Sequence, residues 1–446
     1  MPRPSSPPDS SRPSWFRLDN AAKLYPAINT GNRANVFRIS ALLKDPVDPV
    51  ALQAALEEIL PRFPTYAVRM HSGLFWHYLG HNPGCPVVLP DVSNPCMRMR
   101  FHEKPGFLFR VFHYDRRIAV EFFHALTDGS GGLVFLKTLL AAYLSRTGGG
   151  GREPGPFPPG IYGDSLLDPR GEPDAEEFED AHARYAPLHV TAGRREPKAY
   201  HAASTAEPVH TLDTITGVIQ LDRVLEVARG LKVSLTEYLA AVYIDVLCRL
   251  QRNELAQRRT ERTRRPAPVR LQVPVNMRRF FASRTLRNFS YFVNINLEAA
   301  NGDYDFHEIL HIVHYTMRLG VDPKSLAAQI GQNVKPERGL WLRIAPLFIK
   351  NLVISEIYRR VGEPTSSGTM TNLGAVVLPP ELAPAVDRFE LALGPSFLNR
   401  TQCAVVSFEN HLAVAFTRTC RETDIERGFF TKLVRDGIPV RIESNR

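Results

Sequence analysis

The chain has few cysteines, five in 446 residues (Cys85, Cys96, Cys248, Cys403 and Cys420), and no two are close enough to form a metal-ligand pair. That scarcity excludes a disulfide framework or a cysteine zinc cluster and favours a reducing, cytoplasmic setting. An uncharged apolar run long enough to span a bilayer is also lacking. The most apolar late stretch, Trp341 to Tyr358, carries Arg343 and Lys350 inside it and Pro346 near its start, so a core helix is expected there. Residues 1–14 are rich in Pro and Ser and have no apolar stretch, which predicts a disordered lead-in rather than a secretory signal.

Hydrophobic residues make up 44% of the chain and charged residues 23%, an ordinary globular composition, and 446 residues call for two domains or one two-lobed body. The formal charge is +9, much of it between Arg252 and Arg270. Nucleic-acid binding would need aromatics or a recognised module beside that charge, and neither is present. The segment reads as a solvated basic loop or as a docking surface for anionic partners such as coenzyme A phosphates or an acidic carrier protein.

Residues 35–43 alternate as a strand, and Asp48-Pro49 opens a helix that Pro61 and Pro64 end. A hairpin is predicted over 107–113 and 118–124, then a buried helix over 133–144. Gly148 to Gly151 and the Pro/Gly-dense stretch that follows mark a linker running to residue 208. The second half restarts with a strand over 211–221, a helix led by Asp222, and a helix opened by the capping box Ser234 and Glu237. Strands follow near 269–275 and 291–297, with a hairpin over 404–419. The class is α/β or α+β, divided into a lead-in (1–14), an N-terminal lobe (15–147), a linker or crossover (148–208) and a C-terminal lobe (209–446).

Chemistry concentrates at Phe122-Phe123-His124-Ala125-Leu126-Thr127-Asp128-Gly129. A strand that ends in His and turns through Asp-Gly puts an imidazole at an edge, where it can take a proton from a hydroxyl or amine. On spacing alone a structural histidine is the commoner outcome. His307-Glu308-Ile309-Leu310-His311 fits HExxH, with His314 at helical spacing, which raises a zinc hydrolase as an alternative. Against it, Asp305 reads as the N-cap, so His307 falls in the first turn, and a plain amphipathic helix is expected with no metal.

HALTDG resembles the HxxxDG signature of the chloramphenicol acetyltransferase-like superfamily, which includes peptide-synthetase condensation domains and alcohol acetyltransferases. Val273-Pro274-Val275-Asn276-Met277-Arg278-Arg279-Phe280-Phe281, Thr285-Leu286-Arg287-Asn288-Phe289, Thr371-Asn372-Leu373-Gly374 and the C-terminal 437–445 segment resemble its bacterial alcohol acetyltransferase-like family, in the same order. The resemblance implies two lobes, each a mixed sheet flanked by helices, with a tunnel between them. It implies an acyltransferase of secondary metabolism that moves an acyl group, acetyl foremost, from coenzyme A or a carrier protein to a small alcohol or amine. His124 would be the general base. Asp128 would turn away and pair with Arg278, while Gly129 would permit the turn.

Asn288, Ser366, Thr369, Thr371 and Asn372 are expected as substrate-lining residues, and Ser366, Ser367, Thr369 and Thr371 as sources of an oxyanion donor. No bound cofactor or covalent intermediate is needed. Condensation domains usually carry two consecutive histidines, and Phe123 stands at the first position, which weakens a peptide-forming reading. A catalytically inactive binding module with the same fold is the remaining alternative.

Overall fold

Hydrophobic alternation and turn residues set the strands of this chain, whose computed structural model describes residues 15–30, 33–91, 94–101, 106–187, 196–257, 266–338 and 344–445. The expected lead-in and residues 258–265 and 341–343 lie outside the described residues. The first half forms β1 (Trp15–Arg17), β2 (Val36–Leu43), β3 (Val68–Ser72), β4 (His77–His81), β5 (Val88–Pro90), β6 (Phe109–Tyr114) and β7 (Arg117–Phe123). The second half forms β8 (Asp213–Gln220), β9 (Val269–Asn276), β10 (Ser290–Leu297) and β11 (Gly368–Val376). It continues through β12 (Val386–Leu393), β13 (Thr401–Phe408), β14 (His411–Arg418) and β15 (Val440–Ser444).

These strands make a five-stranded sheet ordered β12-β2-β7-β6-β5, a seven-stranded sheet ordered β10-β9-β11-β13-β14-β8-β15, and a small β1-β4-β3 sheet. The architecture is mixed α/β, with parallel and antiparallel pairs in both large sheets. Strand β7 is buried from Ile118 to Phe123 because β2 and β6 flank it and the Gly129–Thr147 helix belongs to the same core. Its one carboxylate, Glu121, is satisfied by Arg38, Arg110 and the Cys96 amide.

By the sequence division β12 falls within 209–446, and in the structure it joins a sheet of first-half strands. β12 pairs antiparallel with β2, setting Phe389 opposite Ala41, and completes the sheet of the first half. The apolar residues Phe389 and Leu391 are buried in that first core, so β12 covers the β2 edge. The crossover into β12 is held by Lys137, whose Nζ donates to the Val377 carbonyl at 2.9 Å and whose pKa burial pushes down to about 8.

The 148–208 region packs against the first half. Glu177 is buried there and makes a two-pronged ion pair with Arg62 at 2.6 and 2.7 Å. The basic 252–270 segment is not one loop. Its start lies in the Leu235–Gln257 helix and its end in β9, where Arg270 is buried. The expected core helix near 341–358 is instead a Leu347–Ile357 helix whose one buried residue is Lys350.

The capping predictions hold in detail. Asp48 accepts from the Val50 and Ala51 amides with Pro49 at the first helical position. Ser234 and Glu237 exchange hydrogen bonds at the start of the Leu235–Gln257 helix.

Candidate active site

A cleft of about 730 Å³ opens between the two large sheets, lined from the first half by His124 and Ser130 and from the second by Thr236, Gln272, Asn276 and Thr371 among others. His124 reaches it from the end of β7. Its backbone N–H donates to the Asn35 carbonyl at 2.8 Å. Asn35 holds a φ of 47°, a left-handed conformation that asparagine tolerates better than most residues. The Tyr25 ring stacks on the imidazole at 4.7 Å, and Phe37 meets it edge-on at 5.1 Å.

The imidazole's remaining polar contact sets its tautomer. Nδ1 lies 3.0 Å from Asn288 Oδ1, and Asn288 Nδ2 donates to Asp19 Oδ2 at 3.2 Å. A carboxylate only accepts, so Asp19 turns the amide group toward itself and leaves the amide oxygen facing His124. Nδ1 therefore carries the proton and Nε2 has a free lone pair. Burial lowers the His124 pKa below its ordinary value, against the opposing pull of the Asn288 hydrogen bond and the Asp128 charge. The neutral, proton-accepting form is the resident one at neutral pH.

Asp128 turns away from this chemistry. Its Oδ1 caps the Gly129–Thr147 helix by accepting from the Ser130 and Gly131 amides, both at 3.1 Å. Its Oδ2 accepts from Arg278 Nη1 and the Phe289 amide, both at 2.8 Å. Burial pushes its carboxyl up, but the Arg278 charge and these hydrogen bonds outweigh burial and hold it below the usual carboxylate range. Arg278 also donates to the Thr285 and Arg287 carbonyls, so one guanidinium joins the 276–289 segment to the His-Asp turn.

The glycine requirement falls elsewhere than expected. A Cβ at Gly129 would meet only Leu373 Cδ1 at 3.1 Å, the end of a flexible side chain. At Gly131 it would sit 2.2 Å from the Leu286 carbonyl oxygen and 2.3 Å from Thr127 Oγ1. Gly131 is where the two halves come too close for a side chain.

The remaining expected residues divide. Ser366, Thr369, Thr371 and Asn372 line the cleft, as do Asp128 and Gly129, whereas Arg278, Asn288 and Ser367 do not. Asn288 is instead buried beside His124. Ser366 Oγ accepts from Asn399 at 2.7 Å, Ser367 Oγ accepts from the Arg270 amide, and the Asn372 amide donates to Thr236. Strand alternation points Thr369 and Thr371 toward the cleft while Met370 enters the core. Asp19 and Tyr25 escaped the sequence reading because no motif marks them; 105 positions separate Asp19 from His124.

The HExxH segment lies in the Phe306–Gly320 helix, where the Glu308 carboxylate accepts from the Asp305 amide in a capping box. His307 and His311 are exposed, and His314 Nδ1 lies 3.2 Å from Glu237. Among the described residues no group of three or more His, Cys, Asp or Glu side chains is placed to hold a metal ion.

No family model matches the sequence, and no curated protein matches it either. Solved structures do match. The starter condensation domain of rhizomide synthetase RzmA, in complex with C8-CoA and Leu-SNAC, is 13% identical with a TM-score of 0.58, covering 95% of each chain. The trichothecene 15-O-acetyltransferase TRI3 from Fusarium sporotrichioides is 10% identical with a TM-score of 0.58, covering 94% of each chain. TRI101 of F. sporotrichioides, complexed with coenzyme A and T-2, is 11% identical with a TM-score of 0.60, covering 97% of this chain and all of that one. With nearly full coverage in both directions, the chain has the two-lobed fold that these condensation domains and trichothecene acetyltransferases share.

Proposed function

We propose that this protein is an acyltransferase that moves an acyl group, acetyl foremost, from a thioester to an alcohol or amine, with His124 as general base. The observation that carries the reading is the His124 ring itself. It stands in a cleft between the two halves with Nδ1 committed to Asn288, which leaves Nε2 as an acceptor for a substrate proton. Similar folds bound to coenzyme A and T-2, or to C8-CoA and Leu-SNAC, support a thioester donor and a small acceptor.

In this reading, Nε2 takes the acceptor's O–H or N–H proton as the heteroatom attacks the thioester carbonyl. The tetrahedral oxyanion collapses, the C–S bond breaks, and the thiolate takes the proton back from the imidazolium. The products are an ester or amide and a free thiol. The thioester is already activated, so no enzyme nucleophile is required. Proton removal contributes about 10²- to 10⁴-fold and alignment of the two substrates supplies effective molarity. Thr369 and Thr371, whose hydroxyls have no partner among the described residues, are the best-placed oxyanion donors. Asp128, Gly129 and Arg278 hold the turn, while Asn288 and Asp19 hold the ring. The five scattered cysteines of the sequence support a reducing, cytoplasmic setting.

Incubation with acetyl-CoA and a panel of alcohols and amines, followed by free-thiol release, tests the reading. His124→Ala should lower turnover by about 10²- to 10⁴-fold with an unchanged melting temperature. Full activity in that variant would sink the assignment of the base. No turnover by the native protein with acetyl, longer acyl or carrier-bound donors would leave the fold as a binding module.

A further inference from the structure

We propose that the outer face of the Leu347–Ile357 helix and the adjoining β3–β4 turn form a docking surface for a lipid bilayer carrying anionic headgroups. This helix is inverted relative to an ordinary surface helix. Its lysine is inside: Lys350 is 2% exposed, its Nζ donates to the Phe75 carbonyl at 2.9 Å, and it lies 3.7 Å from the centre of the Trp76 ring. Its large apolar residues are outside: Phe348 is 73% exposed, Leu352 72% and Ile357 57%, with Ile349 and Val353 exposed beside them.

The turn extends this patch. The Leu347 amide donates to the Leu74 carbonyl at 2.9 Å, and Leu74 is itself 72% exposed. Scattered exposed apolar residues are normal on a protein surface, but a contiguous stripe at i, i+1, i+4, i+5 with its one cation turned inward is not.

Charge and shape select the occupant. With Lys350 turned inward, the outward charge of residues 344–362 is Arg359 and Arg360 against a single carboxylate, Glu356, which pairs with both. Arg359 and Arg360 are both well exposed. Lys23 Nζ stands 5.4 Å from the centre of the same Trp76 ring. Apolar side chains flanked by net positive charge match the interface of an anionic bilayer. The patch is also a helix face and a turn tip rather than a groove, so it suits a deformable flat surface better than a shaped partner.

The eleven-residue helix is too short to span a membrane, and no described helix is long and apolar enough to do so, which leaves attachment in the plane of the interface. Beyond the helix, Tyr358 and Val361 line the cleft, so docking on this face sets the cleft's wall beside the lipid. The proposal stands whether or not the cleft transfers acyl groups.

Co-sedimentation of the full-length protein with vesicles tests it, using phosphatidylcholine alone and phosphatidylcholine mixed with phosphatidylglycerol. The native protein should pellet with the mixed vesicles, less so as salt rises. The Phe348→Glu/Leu352→Glu variant should stay in the supernatant at the level of a vesicle-free control while keeping its melting temperature. If that variant does not fold, Phe348→Ser/Leu352→Ser is measured in its place. The proposal is overturned if the native protein stays in the supernatant with both vesicle types, or if the variant pellets equally. A vesicle-free dimer that the substitutions dissolve would overturn it too, by assigning the face to a second copy of the chain.

Discussion

Asn288 presents its side-chain oxygen to Nδ1 of His124 at 3.0 Å. The same amide donates to Asp19 at 3.2 Å, so a carboxylate one step removed decides which imidazole nitrogen is protonated. Asp19→Asn should release that constraint, because an asparagine there can donate as well as accept and Asn288 is then free to turn its NH₂ group toward His124. Nitrogen chemical shifts of His124 should move from the Nδ1–H tautomer toward Nε2–H, with kcat falling more than KM changes. Unchanged shifts would show that something other than Asp19 sets the ring.

The pH profile follows from the direction of the His124 shift. Burial depresses its pKa below the ordinary 6.5, so the base stays neutral as pH falls through 6.5. The acid limb of kcat/KM should therefore lie below pH 6.5 and disappear in His124→Ala. A limb above that value would contradict a buried His124 as the titrating group.

Arg278 and Asp128 should matter to stability more than to proton transfer. Both are largely buried at 2.8 Å, and Arg278→Ala leaves an unpaired carboxylate together with two unsatisfied carbonyls. A loss of about 3 to 5 kcal/mol is expected in chemical denaturation. The Asp128 carboxyl lies below its ordinary value, so the stability it supplies is complete above its unfolded pKa of about 3.9 and is lost as pH falls through the folded value. The gap between native and variant melting temperatures should close in strong acid.

Gly131 and Gly129 separate crowding from motif membership. Gly131→Ala sets a methyl 2.2 Å from a backbone oxygen and should cost about 1 to 3 kcal/mol or more. Gly129→Ala meets only a side-chain methyl at 3.1 Å and should cost much less. Equal losses at the two positions would argue that helix propensity, not the approach of Leu286, governs this turn.

Much of the fold was legible because its signals are local. Asp48-Pro49, Ser234 with Glu237 and the alternation in 35–43 act over a few residues, and the structure has a helix or strand at each. Periodicity misled at 341–358, because an apolar run looks the same whether its outer face meets protein or not, and only packing shows Lys350 inside and Phe348 outside. The His124-Asp128-Gly129 segment and the distant Arg278 were visible as residue types in a resembling order. By itself, then, the sequence determined the element types, the helix caps and the segment that bears the imidazole. Only the tertiary structure decided that β12 returns to the first sheet, that Gly131 rather than Gly129 is the crowded position, and that Asp19 and Asn288 orient the ring. Those outcomes depend on which backbones meet across more than a hundred residues, and such contacts leave no local periodicity to read.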